Sequence, residues 1–531
     1  MNKPIRIAIT PLSPLHIGCG EDYEPTNYVV DVEKRFLYGF NPSVVQLEKR
    51  VQNSLLEAAK KADFKKMADF KKIYDVYKEN LKSFRLWAHI VVPMDSASVL
   101  GYKKMLEPKG RQKATKFEVS RSTYEVRVKD GRVCNEVYIP GSSLKGTIKT
   151  ALADRLNPLK RIENKNIDRE ILGGCFETSP LRFLKVSDLH AGGMFVETKV
   201  RCAMRFYKKE PPKNCGISGA YFETIEPWQF RAFKGELILA SDQNKNNTQH
   251  VYASITELIR DLNRYSEKIW DKEVRWYHRA DSGWAESVED LLSRLQEPMR
   301  AGRVALLRLG KNAGAESKTL SGGVSRIEIR HRNNTRETLT YTTTMWLLPE
   351  TASAPQNASG MPFGWALMEV LEDDKEDETI KSWCEGCTMD SLRKEVLCEY
   401  ENIKKERKAI EDRDQAKRLQ QQLEEDRRRQ AEKEREQAEK EKEERLARLS
   451  PEKRSIEEII EKLEKTPGMV NPGTDLHRDV TKFLEEAQEW TDPEDKKELA
   501  EKIGPYMKRK GLYQGKFEKI FKSQLKKLRG E

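Results

Sequence analysis

Between residues 401 and 449 the chain contains no proline and no glycine, and 31 of the 49 positions are charged. The run KKERKAIEDRDQAKRLQQQLEEDRRRQAEKEREQAEKEKEERLARL has too little apolar surface to take part in a core. Opposite charges recur three and four residues apart, which supports a solvated helix. Its apolar residues, Ile410, Leu419, Leu423, Ala431, Ala438 and Leu446, are too sparse and irregular for the sustained a and d positions of a coiled coil. The segment is therefore read as a charged single helix, with a weak coiled coil as the alternative. At about 1.5 Å per residue it reaches roughly 70 Å. It divides the chain into a body of residues 1–372, a linker of 373–400, the helix of 401–449 and a terminal module of 450–531.

The terminal module reads as all-α. Ser450-Pro451 is a good cap and first-turn pair, and Ile456, Ile459, Ile460 and Leu463 trace one helical face. Further helical stretches fall at about 474–490, at 493–504 and after Gly515. The last stretch, KRKGLYQGKFEKIFKSQLKKLRG, is strongly basic: either a solvated face or a surface for nucleic acid or a partner.

The body has the composition to bury a core. The whole chain is 37% hydrophobic and 34% charged, and its net charge is +11. Residues 1–400 hold 63 Lys and Arg against 54 Asp and Glu, a surplus that leans toward a polyanionic partner. No apolar run reaches the roughly 18 residues of a membrane helix, and MNKPIRIAIT lacks a secretory signal's apolar segment, so a cytoplasmic protein without a membrane partner is expected. The eight cysteines are scattered, as suits a reducing compartment. Cys384 and Cys387 form a CxxC, with Cys398 beyond it. A structural zinc normally takes four ligands, and no second pair completes the set, so these read as ordinary thiols on a mobile segment, with no metal or other cofactor.

Within the body, β-like runs at 4–10, 28–32, 36–40, 133–139, 235–240, 303–309 and 364–371 alternate with helical stretches. Val45 to Leu86 reads as a lysine-rich helical insertion, with Leu47, Val51, Leu55 and Ala58 near helical spacing. Three stretches stand out. In TPLSPLHIGCGEDYEPTNYVVD, Pro11, Pro14, Gly18, Gly20 and Pro25 surround His16, a loop that resists regular pairing and lets another backbone come close. In VYIPGSSLKGTIKTAL, Ser142 or Ser143 can cap a helix that carries Lys145 and Lys149 on one face; exposed amides, hydroxyls and lysines together make an anion site. This is not a Walker A loop, which needs GxxxxGK[ST]. In RVALLRLGKNAGAESKTLSGG, a β-run with Arg308 feeds a loop of Gly310, Gly314, Gly322 and Gly323 that carries Lys311 and Lys318.

Together these stretches resemble the RAMP superfamily of CRISPR-associated proteins, and within it the fifth-subunit family of the type III-A Csm effector complex. The resemblance rests on ITPLSPLHIGCGEDYEPTNYVVD with LYGFNP, YIPGSSLKGTIKTAL, LKVSDL at 184–189, RLGKNAGAESKT and MPFGWALMEV, in the family's order over residues 1–371. It implies an α+β fold of two ferredoxin-like, RRM-type modules with helical insertions. The long helix and terminal module lie outside it. It also implies a role: binding crRNA, capping the guide's 3′ end, packing on the backbone and small helical subunits of the complex, and supporting crRNA maturation and antiviral defence. The residues that would meet RNA are His16, Gly18, Gly20, Ser142, Ser143, Lys145, Lys149, Arg308, Gly310, Lys311, Gly314 and Lys318.

Two alternatives accompany that expectation. RAMP endonucleases use a histidine as general base, which makes His16 the candidate for an RNA-cleaving enzyme. Metal-free cleavage also needs an acid, and none is apparent beside it. The backbone RAMP subunits carry an aspartate in a D-N-P-V-like stretch, whose counterpart here is Thr26-Asn27-Tyr28-Val29, with Asp31 close by. The expected protein is therefore not an enzyme. The other alternative is a scaffold that recruits a nuclease through residues 401–531.

Overall fold

The computed structural model describes residues 3–60, 67–107, 117–129, 132–157, 166–192, 195–209, 219–242, 249–320, 326–330, 335–349, 359–371, 376–387, 390–513 and 517–531. The chain divides into two compact units, Met1–Lys408 and Ala409–Glu531.

The first unit begins with β1 (Ile5–Pro11), β2 (Gly18–Asp22), β3 (Tyr28–Asp31), β4 (Phe36–Phe40), α1 (Lys49–Lys60), α2 (Met67–Glu79), α3 (Leu81–Leu86) and β5 (Ala88–Pro93). Then come α4 (Ser96–Leu106), β6 (Val119–Ser122), β7 (Tyr124–Lys129), β8 (Arg132–Val137), α5 (Gly141–Leu156), β9 (Leu184–Val186), β10 (Thr198–Tyr207), β11 (Gly219–Ile225) and β12 (Phe233–Leu239). Next follow β13 (Ser241–Asp242), β14 (Gln249–His250), α6 (Ile255–Ala280), α7 (Ser282–Arg294), α8 (Gln296–Arg300), β15 (Val304–Arg308), β16 (Ile327–Arg330) and β17 (Arg336–Leu339). Last are β18 (Thr344–Leu348), β19 (Met361–Pro362), β20 (Trp365–Val370), α9 (Glu378–Cys387) and the start of α10 (Asp390–Ala447).

β1 is buried on both faces from Ile7 onward, which suits a central strand. It lies in a five-stranded sheet of order β15-β20-β1-β12-β9, antiparallel to both neighbours, with Ile7 opposite Gly235 and Val370. The path β1-α5-β9-β12-α6-β20, with spatial order β20-β1-β12-β9, is a ferredoxin-like βαββαβ arrangement, and β15 extends its edge. α5 and α6 cover the sheet with Leu144, Ile148, Leu152, Leu258, Leu262 and Ile269. An aromatic group seals this core: the Trp270 and Trp365 rings lie 5.2 Å apart, and the Trp365 indole donates to the Tyr277 hydroxyl at 3.0 Å.

Residues 12–140 intervene between β1 and α5 and supply much of the rest. A six-stranded sheet runs β19-β18-β10-β11-β6-β2, with β11 and β6 parallel. A three-stranded sheet, β3-β4-β5, packs with α1–α4 around Tyr28, Tyr38, Phe84 and Tyr102. The expected insertion of 45–86 is thus helical from Lys49 onward, within the described residues.

The stretch expected to be a linker, 373–400, is helical over Glu378–Cys387 and again from Asp390, and it is docked. Cys384 is buried in the main core and the Trp383 indole donates to Ser287 Oγ at 2.8 Å, so the CxxC is not on a mobile segment. In α10, Val396 and Ile403 join the second core, Glu399 accepts from Tyr38 at 2.9 Å and Lys34 at 3.1 Å and pairs with Arg85, and the Tyr400 hydroxyl accepts from the Val91 amide at 2.9 Å. Val396, Glu399, Tyr400 and Ile403 form a stripe of helical spacing inside a charged run. The boundary of the body therefore falls after Lys408 and not before 373.

In the second unit, residues 409–447 of α10 are almost wholly exposed, as a charged helix should be. Beyond it, α11 (Pro451–Lys465), α12 (Asp475–Glu486), α13 (Pro493–Arg509) and α14 (Phe517–Leu528) enclose a core of Ile456, Leu463, Val480, Leu499, Ile503 and Phe521. Ser450, Thr474 and Asp492 cap the first three. No helix among the described residues is long and apolar enough to cross a membrane.

Glu399→Gln removes one of two carboxylates that neutralise the buried Arg85 guanidinium, the other being Glu406 at 2.9 Å. Glu406 keeps the charge partly compensated, so a loss of about 1.5 kcal/mol, that of a charged hydrogen bond, is expected in denaturant unfolding of the full chain.

Candidate nucleic-acid interface

The loop after β1 is held on both sides. The amides of Leu12 and Ser13 donate to the Trp365 carbonyl at 2.9 and 3.1 Å, and Leu15 pairs with Ile225. The Trp284 indole donates to the Leu12 carbonyl at 2.9 Å. His16 points inward and is 0% exposed. Its Nδ1 lies 2.7 Å from the Glu223 carbonyl, which can only accept, so this nitrogen carries the proton. Its Nε2 is buried without a hydrogen-bond partner among the described residues, and its ring lies 5.0 Å from that of Phe222. Burial lowers its pKa to about 4, so it is neutral at physiological pH. The assignment of the His16 side chain to RNA contact or base catalysis is corrected here: no RNA hydroxyl can reach a ring enclosed by Phe222 and the loop. Gly18 fits this packing, since a Cβ there would stand 2.9 Å from Nε2. Gly18 to Asp22 also form an exposed strand, β2, on β6, where sequence pointed to an unpaired loop, and Gly20 is left-handed within it.

Below this loop lies a polar group that sequence did not reveal. Glu223 is fully buried in β11 and accepts from the Tyr23 hydroxyl and the Ser122 amide, both at 3.1 Å, and from Tyr124. Desolvation raises its pKa.

The glycine loop after β15 is anchored by charge. Arg308 is buried: it pairs with Glu273 of α6, donates to the Phe363 carbonyl at 3.3 Å and stacks on Trp365. Lys208 is also buried and bridges Glu273 at 3.1 Å and Glu316 at 2.8 Å. Lys208 holds the Glu316 carboxyl down to about 2 against its burial. Arg308 is therefore an anchor and not a phosphate ligand, because its guanidinium is consumed by a buried carboxylate. A signal for Glu273 exists in the sequence: it falls at helical spacing with Ile269 and Tyr277 on the apolar face of α6, where a charge needs a partner.

From that anchor the loop turns back onto the first one. Gly310 is left-handed, and a Cβ there would stand 2.5 Å from the His16 carbonyl oxygen. The Lys311 amide donates to that same oxygen at 2.9 Å. Gly314 is also left-handed. Lys311 and Lys318 are exposed, neither has an ion pair among the described residues, and Lys311 Nζ lies 5.7 Å from the Phe222 ring centre. Gly322 and Gly323 lie outside the described residues.

α5 meets the same loop, with the Thr147 hydroxyl donating to the Arg308 carbonyl at 3.3 Å. Its N-terminus differs from expectation. Pro140 occupies the cap position, neither serine caps, and Asp188 accepts from the Gly141 amide at 2.7 Å. A carboxylate already sits where a phosphate was expected, and it repels a second anion. Ser142 is exposed and Ser143 half-buried. Lys145 donates to the Leu184 carbonyl at 2.8 Å, with its pKa lowered by burial, and Lys149 pairs with Asp168 at 2.5 Å. The three stretches therefore adjoin, but of the expected cations only Lys311 and Lys318 stand exposed without an acceptor among the described residues. Thr26 is exposed in a turn before β3, and Asp31 accepts from the Glu33 and Lys34 amides at 3.0 and 2.9 Å, a turn-forming role.

The α+β body and the three adjoining stretches fit one class: the chain belongs to the RAMP superfamily, whose family model matches residues 8–314. Among solved structures it is similar to a chain in the cryo-EM structure of the Csm–crRNA–target RNA ternary complex of a type III-A CRISPR-Cas system, at 16% identity and a TM-score of 0.40, covering 69% of this chain and 100% of that one. It is also similar to T. onnurineus Csm5, at 14% identity and a TM-score of 0.30, with the same coverage. No curated protein sequence matches it.

Two outcomes follow from the geometry. Gly310→Ala forces a methyl group against the His16 carbonyl in a left-handed turn, and about 1–3 kcal/mol of stability should be lost in thermal or denaturant melts. His16 stays neutral in the fold down to about pH 4, whereas the unfolded chain takes up its proton near pH 6.5. Stability should thus fall as pH drops from about 6.5 to 4, by up to about 3 kcal/mol from this residue. His16→Asn, which keeps a donor near the Nδ1 position, should flatten that part of the pH profile.

Proposed function

We propose that this chain is the non-catalytic RNA-binding end subunit of a type III-A CRISPR (Csm) effector complex. It caps the 3′ end of the crRNA, supports guide maturation and antiviral defence in the cytoplasm, and packs against the complex's backbone and small helical subunits. The observation that carries the reading is the bond from the Lys311 amide to the His16 carbonyl, which joins two glycine-punctuated loops into one surface within a RAMP fold. The ordered motifs of residues 1–371 support the Csm assignment.

The non-catalytic reading rests on chemistry. The His16 imidazole is sealed, Thr26 replaces the aspartate of the backbone subunits, and Asp31 is committed to its turn. The loop backbones form the floor of the interface, and Lys311 and Lys318 supply charge to a ribose-phosphate strand. Few aromatics line these loops, so binding is independent of base sequence.

Lys311→Ala with Lys318→Ala should weaken binding of single-stranded RNA several-fold and reduce the log–log salt slope by about 1.4, at about 0.7 per lost phosphate contact. Lys145→Ala with Lys149→Ala should change both far less. Affinity and slope unaltered by the first pair would refute the interface. Purification of the tagged chain from its host should bring down CRISPR-repeat-derived guides, and the pure protein should leave RNA intact whether or not His16 is replaced.

A further inference from the structure

The second unit segregates its charge. Residues 508–531 hold nine Lys and Arg against two Glu, whereas residues 450–507 hold nine against fifteen Asp and Glu. In the acidic part six of the nine cations reach a carboxylate: Lys453, Lys462, Lys465, Arg478, Lys482 and Lys502. At the basic end Lys508, Lys519, Lys526, Lys527 and Arg529 are exposed, and none has an ion pair among the described residues. Such a concentration of like charge repels itself and persists at a cost to folding, unlike the paired cations of α11 and α12.

The face is also ordered. Phe521, Leu525 and Leu528 pin α14 into the module's core, so its outward positions are fixed. Lys519, Lys522, Lys526 and Arg529 follow one another at helical spacing, and only Lys522 is paired, with Glu518. A Cβ placed on Gly504 of α13 would lie 4.0 Å from both Arg529 Nη2 and the Tyr513 hydroxyl, so a cation and an aromatic tip converge over the same turn. Burial raises the Tyr513 pKa while Arg529 and Lys522 lower it, which places both charges close to the phenol.

We propose that the end of α13, Tyr513 and α14 form a second binding surface, specific for single-stranded RNA and separate from the RAMP interface. A row of flexible cations beside an aromatic ring matches a ribose-phosphate strand with a base to stack. A protein partner would draw most of its affinity from aromatic or arginine anchors buried in pockets, and this face is an open row of lysines.

The test uses the full chain, in the wild-type background and in the Lys311→Ala/Lys318→Ala background. Anisotropy of a fluorescein-labelled mixed-sequence single-stranded RNA is followed between 50 and 200 mM salt. Lys519→Glu/Lys526→Glu/Arg529→Glu should cut affinity at least tenfold in both backgrounds and lower the salt slope by about 2. The Gln triple variant, which adds no repulsion, should show the same slope change with a smaller loss. Lys482→Glu, whose lysine pairs with Glu486, should bind as wild type. RNA carrying 4-thiouridine should photo-crosslink at Tyr513. Unchanged affinity and slope in both triple variants, crosslinks confined to residues 1–371, or competition by polyglutamate as strong as by RNA would each overturn the proposal. If the Lys311/Lys318 variant alone binds as wild type, the RAMP interface fails and this surface stands.

Discussion

The Glu273 carboxylate is the point on which the first unit turns. It is 1% exposed on α6 and faces Arg308 at the end of β15 and Lys208 just past β10. An ion in a dry interior is tolerated only when its partners complete it. Here two cations and the Tyr277 hydroxyl do so, and in completing it they tie one helix to the ends of strands from two sheets. Lys208 carries the tie onward to Glu316 within the glycine loop. The loop is thus exposed at its tip and fixed at its base.

That arrangement divides labour between backbone and side chain. The residue types that look most reactive, His16 and Arg308, are withdrawn into the protein and hold the loops. The residues that remain outside are glycines and lysines, which offer close approach and charge. Asp188 at the start of α5 completes the pattern by occupying the helix amide that would otherwise attract an anion.

Most of the fold was legible in the sequence because period and punctuation carry it. Runs at 4–10, 28–32, 36–40, 303–309 and 364–371 are strands β1, β3, β4, β15 and β20, and Ser450-Pro451 starts α11. The adjacency of the three stretches was legible through their glycines. Side-chain direction was not: nothing local tells whether His16 faces the core or the solvent, since that is decided by Phe222 and Glu223 more than 200 residues away. The docking of 376–408 was hidden for another reason. Its buried stripe mixes Val396 and Ile403 with Glu399, and a carboxylate reads as surface until Arg85 and Tyr38 are seen beside it.

One consequence lies in the order of synthesis. Of the five strands of its sheet β1 is synthesised before the others, yet its neighbours are residues 233–237 and 366–370. At roughly 5–20 residues per second, the strand waits about 20 to 70 s for its second edge to emerge. Throughout that interval Ile5, Ile7 and Ile9 belong to a nascent segment with an unpaired flank. The birth of this protein, more than its finished state, is when it most needs a chaperone.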